Sequence, residues 1–466
     1  MTDRLDMTQG SLWNKILRFA LPLALSSTLQ QLFNSADTAV VGHFVGSQAL
    51  AAVGSNAPVI NLQICLFIDL STGANVLIAR QLGAQEKEQV SRSVHTVMAL
   101  ALASGFLTAL IGNLCSRLIL EWMHTPEDVI DLAALYLHIY FLGMPFFMVY
   151  NFGSAILRSK GDTKRPMYCL LASGIVNVLL NLFFVIVVRL GVAGVAIATV
   201  LSNALAASCV WVFLVREEGP LRFSPGKMRI EKRIFRETAR IGIPSAVQSS
   251  VFSLSNILIV SSVGSFGSAA LAGNATAGNF DGFVFFVINS FIQACVTFTS
   301  QNYGAGNVKR MKRVFRLCIG FSFLMSALMC GFFALYAREL SSLYTTDSQV
   351  LDYAQIRLHT AQPWQWLSSG YDVTAAAMRG IGYSMLPSVL TIFGIVGFRI
   401  FWISTVFARW HDFTLLIAVY PITWLLTTLL MLFCYRHVSK KVYARIEGKP
   451  KESLAQHKRK AVHHSL

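Results

Sequence analysis

Short motifs in this chain recur at a single offset of 221 residues. Gly46-Ser47, Gly83-Ala84, Arg158, Gly161 and Pro166 return as Gly267-Ser268, Gly304-Ala305, Arg379, Gly382 and Pro387. The same offset joins Ala49-Leu50-Ala51 to Ala270-Leu271-Ala272, Leu137-His138 to Leu358-His359, and Tyr150 to Tyr371. The chain is a duplication with almost no net insertion between its copies. Whatever unit one half forms, the other must form too.

Composition says what that unit is. A length of 466 residues would suit about three soluble domains. Only 13% of the residues are charged, however, against about 25% in soluble domains, and 54% are hydrophobic. The apolar residues gather into stretches long enough to cross a bilayer. Twelve spans are expected, near 16–43, 54–80, 93–115, 131–157, 166–188, 192–215, 238–263, 275–301, 314–337, 352–378, 386–408 and 413–435. Phe19–Ser27 imitates a signal-peptide core, but the apolar run continues beyond it, which favours a first span.

The net charge of +16 is distributed by side. Lys87 and Arg92, Arg158 to Arg165, Arg216 to Arg240, Lys309 to Arg316 and the tail from Arg436 are basic, whereas the intervening loops hold only Arg117, Arg189, Arg338 and Arg409. By the positive-inside rule both termini are cytoplasmic and the number of spans is even. The surplus charge is topology, with anionic-lipid contact as a by-product, and implies no nucleic acid.

Six spans per half return the second copy to the membrane in the orientation of the first. The expected fold class is an all-α membrane protein: twelve transmembrane helices in two six-helix lobes, related by a parallel pseudo-twofold repeat, a transporter architecture. The expected units are a first lobe over 1–216, a cytoplasmic linker over 217–237, a second lobe over 238–437 and a basic, disordered tail over 438–466. In the linker, Leu221, Met228, Ile230, Ile234 and Phe235 alternate with basic residues. That pattern suits a surface-lying amphipathic helix and equally a topology-setting loop. Eight single cysteines read as small core residues, so neither disulfides nor zinc are expected. No P-loop, HExxH or Gly-x-Ser-x-Gly is present, so the chain is not read as an enzyme and uphill transport would draw on an ion gradient.

Ionisable groups inside a bilayer cost about 2.5–3.5 kcal/mol on insertion scales and are functional candidates by default. Ser27, Gln30, Asn34 and Asp37 fall at i, i+3, i+7 and i+10, one helical face ending in a carboxylate. Polar side chains can glue helices together, but an unpaired Asp must bind a cation or a proton. Asn177 and Asn181 share a face of the fifth span, where interhelical bonding and cation ligation are both open. Thr199 lies in the sixth. Asp69, Asp372, Arg357 and Arg399 are the other deep charges, for which pairing of an Asp with Arg399 competes with a transport role. The histidines read as structural. The second half is rich in aromatics, among them Phe283, Trp366 and Tyr371, with Pro363 beside two tryptophans. Proline permits bending where a cavity is lined, and aromatic walls suit lipophilic cations.

Asp37-Thr-Ala-Val-Val-Gly-His-Phe-Val-Gly46, Gln81-Leu-Gly-Ala84 with its echo Gln301-Asn-Tyr-Gly-Ala305, and Arg158 to Pro166 with its copy Arg379 to Pro387, together with Pro22, resemble the multidrug and toxic compound extrusion (MATE) family, prokaryotic type. The resemblance covers about 13–437. It implies a V-shaped pair of lobes that exports lipophilic, often cationic, compounds in exchange for H⁺ or Na⁺, with no other cofactor. It also implies an ion-coupling site at Asp37, Asn177, Asn181 and Thr199, residues that the polar faces select independently, with Gln30 and Asn34 in support. The seventh span carries Gln248, Ser249, Ser253 and Asn256 but no acid, so a second-lobe ion site is not expected. Asp372, Gln248, Asn256, Phe283, Trp366 and Tyr371 are candidates for the substrate cavity. By the offset, Asp37, Asn177, Asn181 and Thr199 fall opposite Leu258, Phe398, Trp402 and Tyr420. The first lobe is thus expected to be polar and ion-binding, the second aromatic.

The functional expectation is a monomeric, multi-pass secondary antiporter of the inner (cytoplasmic) membrane that alternates access by rocking its lobes. Its partners are the lipid bilayer and small lipophilic or cationic compounds. A flippase for a lipid-linked saccharide is the alternative, for which several groove arginines would speak. An ion channel is the alternative from another class.

Overall fold

The computed structural model describes residues 6–123 and 125–448, without the side chains of Asn34, Ser35, Ala36, Thr38, Ala39, Ser47, Leu50 and Asp128. The first half runs α1 (Leu12–Phe44), α2 (Ser47–Gly83), α3 (Lys87–Trp122), α4 (Glu127–Leu142), α5 (Met144–Ser159), α6 (Lys164–Leu182) with a π-helical extension Phe183–Val187, and α7 (Gly191–Val215). The second half runs α8 (Lys232–Gly264), α9 (Ser268–Gly304), α10 (Val308–Leu335), a short α11 (Ala337–Ser342), α12 (Ser348–Thr360), a 3-10 turn Gln362–Leu367 and α13 (Ser368–Gly380). It continues through α14 (Met385–Thr391), α15 (Phe398–Trp402), α16 (Ala408–Trp410), α17 (Phe413–Ile417) and α18 (Val419–Glu447). No strand occurs among the described residues.

The repeat is visible in helix boundaries. α2 and α9 are both 37 residues long and begin 221 residues apart, as do α3 and α10, α4 and α12, and α6 and α14. Gly161 and Gly382 adopt φ of 101° and 96° in equivalent loops, a region that residues with a Cβ rarely enter.

Among the described residues nine helices are long and apolar enough to cross a membrane, or ten when α4 and α5 count as one span bent by 47°. The expected twelve map onto the elements with three exceptions to that test, each with a cause. α1 has the length, but its polar stripe dilutes its apolarity. The fourth span is broken at Gly143-Met144-Pro145, where the proline cannot donate a backbone bond. The tenth is interrupted by the 3-10 turn that holds Pro363, Trp364 and Trp366. Both halves break their fourth helix, so the bend belongs to the repeated unit.

Each half has its own buried core, the first built from Val40 to Phe223. The second contains an addition: Met7, Leu12, Ile16, Phe19 and Ala20 pack within it, and Phe19 meets Phe298 edge-on at 5.6 Å. The first-lobe boundary at residue 1 is therefore too simple. A helix of 33 residues is roughly 50 Å long, so α1 begins against the second half and ends inside the first.

The halves also meet along α2 and α8 and near the ends of α9. Gly73 lies so close to Thr238 and Gly242 that a Cβ would sit 2.3 Å from the Thr238 carbonyl oxygen, and at Gly83 a Cβ would sit 1.9 Å from that of Gln301. Gly304 stands in the reciprocal relation to the Arg80 carbonyl. Thr297 donates to Asn75 (2.9 Å), Gln301 Nε2 to the Ser159 carbonyl (2.6 Å), and the Arg80 guanidinium covers the Tyr303 ring at 4.8 Å. These contacts lie beside the basic loops, so the lobes are locked together on the basic face.

The linker departs from the amphipathic-helix expectation. Gly219–Leu221 and Pro225–Lys227 form 3-10 turns, because Gly219, Pro220, Pro225 and Gly226 break a regular helix, and α8 begins at Lys232. Phe223 is buried against Trp211, with ring centroids at 4.7 Å. Ser224 N–H donates to His95 Nε2 at 3.0 Å, so His95 is a structural histidine here. Glu217 joins Lys160 (2.5 Å) and Arg165 (2.8 Å), fastening the strap to the α5–α6 loop. The tail also starts later than 438: α18 continues to Glu447, with Val442 and Tyr443 packed on Val308 and Met311. Residues 449–466 lie outside the described residues.

Candidate ion and substrate sites in the two lobes

α1 and α6 approach closely because Gly174 leaves room for the Phe33 ring, where a Cβ would lie 1.8 Å from the ring edge. That approach brings Asp37 against Asn181. Asn181 is fully buried and its Nδ2 donates to Asp37 Oδ1. The same Nδ2 lies 3.4 Å from Asn177 Oδ1, while Asn181 Oδ1 is buried without a partner among the described residues. Asn177 is buried as well. Thr199 donates to the Val195 carbonyl one turn back (3.0 Å), and the Tyr136 hydroxyl reaches Thr199 and lies beside Asp37. The structure thus gathers Asp37, Asn177, Asn181 and Thr199 on three helices around a half-buried carboxylate. Gln30 is half-buried on α1; the side chain of Asn34 lies outside the described residues. Tyr136 carries no signal in the sequence, since an aromatic near a helix end belongs to no periodic pattern.

A carboxylate and an orphaned amide oxygen are hard oxygen donors, suited to a small cation. No cluster of three His, Cys, Asp or Glu side chains able to hold a metal occurs among the described residues. Eight cysteines are free.

The cavity candidates of the second half divide into two groups. At the interface, Ser249 donates to Asp69, Arg379 Nη2 donates to Gln248 Oε1 (2.8 Å), and Arg379 is the electrostatic partner of Asp69 and Asp372 together. Asp69 thereby acquires a place: it ties α2 of one lobe to α8 of the other, in the field of Arg379 on α13. Deeper in the second lobe, Arg357 binds Asp281 and the Asn274 side chain (2.6 Å), and Arg399 Nη1 binds Ser255 (3.0 Å) and Asn256 (2.8 Å). Both guanidinia lie over the Tyr420 ring, at 5.5 and 4.8 Å. Tyr371 is buried, with Asp372 and Arg399 as its charged neighbours. Trp366 packs edge-on against Phe323 (5.3 Å) and Phe283 against Phe286 (6.5 Å).

Of the two readings open for Arg399, pairing with an Asp is not found among the described residues: Asp372 lies beside Tyr371 and Arg379, and a further acid of this lobe, Asp281, is taken by Arg357. Asp281 is hard to find in the sequence because it lies alone in the aromatic run Phe280-Asp281-Gly282-Phe283, with no polar stripe to mark it.

The MatE family model matches residues 22–183 and again 244–403, once in each half. A probable multidrug resistance protein, YoeA of Bacillus subtilis (strain 168), is 30% identical over 84% of this chain and 86% of its own length. A probable multidrug resistance protein, NorM of Thermotoga maritima, is 27% identical over 82% of each. An FAD transporter of Shewanella oneidensis is 24% identical over 76% of this chain and 79% of its own. Among solved structures, an outward-facing multidrug resistance MATE family transporter superposes with a TM-score of 0.88 at 22% identity, over 95% of this chain and 99% of that one. A MATE protein in the bent conformation gives 0.87 at 22% identity, over 96% and 100%. The fold and the polar site within it define a multi-pass membrane transporter built by duplication. The chain belongs to the MATE family.

Proposed function

We propose that this protein is a secondary exporter that exchanges lipophilic or cationic compounds for H⁺ or Na⁺ across the cytoplasmic membrane. The observation that carries the reading is Asp37, a carboxylate inside a membrane helix bundle that finds an amide donor but no cationic side chain among the described residues. Asn181 supplies that donor and keeps its own oxygen unpartnered beside it. A proton or a sodium ion would complete the group, so ion occupancy changes the charge at the heart of the first lobe. An ion that binds one lobe arrangement better than the other shifts the balance between them by that difference in affinity.

The contacts on the basic face support alternating access. They are short-range and glycine-dependent and run from mid-helix to the basic end, as a closed gate requires, and the basic loops put that end in the cytoplasm by the positive-inside rule. In this arrangement the first lobe faces outward, where an exporter releases cargo and reloads its ion. The names of the multidrug relatives agree with a broad lipophilic cargo, and the aromatic walls at Phe283 and Trp366 suit it. The chain works as a monomer with the bilayer as its partner.

The test is efflux of a cationic dye from cells expressing the protein. Asp37→Asn is expected to reduce gradient-driven efflux to the level of cells without the protein, while dye binding to the purified variant persists. Efflux by that variant at the wild-type rate would refute the coupling role.

A further inference from the structure

The 221-residue offset places the polar site of the first lobe onto a particular spot of the second. Tyr136 corresponds to Arg357, Thr199 to Tyr420, and Asn34 and Ser35 to Ser255 and Asn256; Asn177 corresponds to Phe398, the neighbour of Arg399. The two guanidinia over Tyr420 therefore occupy the location at which the first lobe gathers Asp37, Asn181, Tyr136 and Thr199. The duplicated site has kept its position and reversed its charge.

Arg399 is 1% exposed, and its surroundings leave it incomplete. Nη1 has its two acceptors, but Nε and Nη2 are buried without any among the described residues. Phe252 covers the guanidinium at 5.1 Å and Tyr420 at 4.8 Å. The charged or titratable groups acting on it are Tyr420, Tyr371 and Arg357, none of them a carboxylate. Arg357 cannot offset it, being a cation already bound to Asp281. Leaving a buried charge and two donors unmet is costly. A planar fork with free N–H groups is the geometry that receives a carboxylate or phosphate at two points.

The local backbone is also unusual. α15 carries Arg399 on five residues held between π-helical segments, Ile392–Gly397 and Ile403–Phe407. Such segments interrupt regular helices at a cost in backbone bonding and recur at functional sites.

We infer that the second lobe binds the oxyanion of an amphiphilic cargo, a carboxylate or phosphate, through Arg399, with Asn256 and Tyr420 orienting the guanidinium. This rests on the transport reading above and adds to it the cargo class: compounds carrying an acidic group as well as a lipophilic body. Arg399 acts as the anion-binding residue. Arg357 holds the field positive while its own charge is met by Asp281.

Rhodamine B and its ethyl ester share one cationic fluorophore and differ in a free carboxylate. Binding of both to the purified protein in nanodiscs is the measurement. Arg399→Gln is expected to weaken rhodamine B binding about tenfold or more, the loss of one charge-assisted hydrogen-bonded contact, and to change ester binding less than about twofold. Arg399→Lys keeps the charge and loses the fork, and is expected to weaken the acid several-fold and spare the ester. An acid-to-ester affinity ratio unchanged in both variants would overturn the inference. So would an equal loss for the two dyes, the mark of a purely structural arginine. Gradient-driven efflux of the ester reports on Asp37 separately, so failure of the transport reading and failure of the anion-binding inference give different results.

Discussion

Asp37 and Arg399 show how position in a low-dielectric interior decides what a charged residue does. Each sits where water cannot solvate it fully, and neither has a counter-charge among the described residues. Arg357 and Asp281 illustrate the opposite outcome, a cation and an acid that satisfy one another. Glu217 is a third case, outside the membrane. Burial alone would raise its pKa, but hydrogen bonds from Lys160 and Arg165 outweigh it and hold the carboxylate below the usual glutamate range. The folded protein therefore keeps Glu217 ionised at acidities that protonate the unfolded chain, so its stabilisation is complete above the ordinary value and is lost as pH falls through the folded one. Glu217→Gln is expected to cost about 1.5–3 kcal/mol at neutral pH, the worth of hydrogen bonds to a charged group. The gap from wild type should shrink in thermal unfolding below about pH 4. A gap independent of pH would mean that the strap is held by Phe223 and its ring contacts instead.

The polar face of α1 is legible in the sequence because side chains at i, i+3, i+7 and i+10 must share a side, and Asn177 with Asn181 obey the same rule. Contacts between helices are not legible. No pattern tells that Asp281 takes Arg357, that Arg399 is left with Ser255 and Asn256, or that Tyr136 reaches Thr199. Those facts depend on interhelical distance, and periodicity carries none.

At the scale of elements, glycine sets how close helices come. Gly83 and Gly304 are visible as a repeated motif, but their purpose appears only in the packing, where each faces a backbone carbonyl of the other half. Gly83→Ala forces that carbonyl away and is expected to weaken the closed basic face by about 1–3 kcal/mol, the usual cost of overpacking. Distances between spin labels on α2 and α9 should then show a new population with the basic ends apart. An unchanged distance distribution would contradict the gate assignment. The broken fourth and tenth spans read as continuous helices in sequence because their composition is apolar throughout. Pro145 and Pro363 are in plain view, but proline occurs inside α1, α2 and α8 without breaking them. Tertiary context, not the residue type, decides which prolines break a helix. Of the two readings of the linker, the amphipathic helix is not formed before Lys232 for a related reason: alternating apolar residues fit a helix in pattern, while a Gly-Pro and a Pro-Gly pair forbid it.

On the scale of the whole molecule, duplication produced two bundles of one build and opposite charge. The first centres on a carboxylate, the second on guanidinia, and short-range contacts join them on the basic face. The two halves, the sidedness of the charge and the polar faces of the first lobe are all readable from the sequence. The second lobe reads as aromatic there, because single arginines inside apolar spans look like isolated exceptions until the structure puts two on one tyrosine. The measurement closest to the central claim uses proteoliposomes of uniform orientation loaded with a cationic dye. A pH gradient and a Na⁺ gradient are imposed separately at clamped membrane potential. Wild-type protein is expected to move dye against its gradient under at least one of them, with dye addition driving counter-movement of that ion, and Asp37→Asn to do neither. Ion movement in the wild type that proceeds equally without dye, or dye movement that neither gradient drives, would contradict the account.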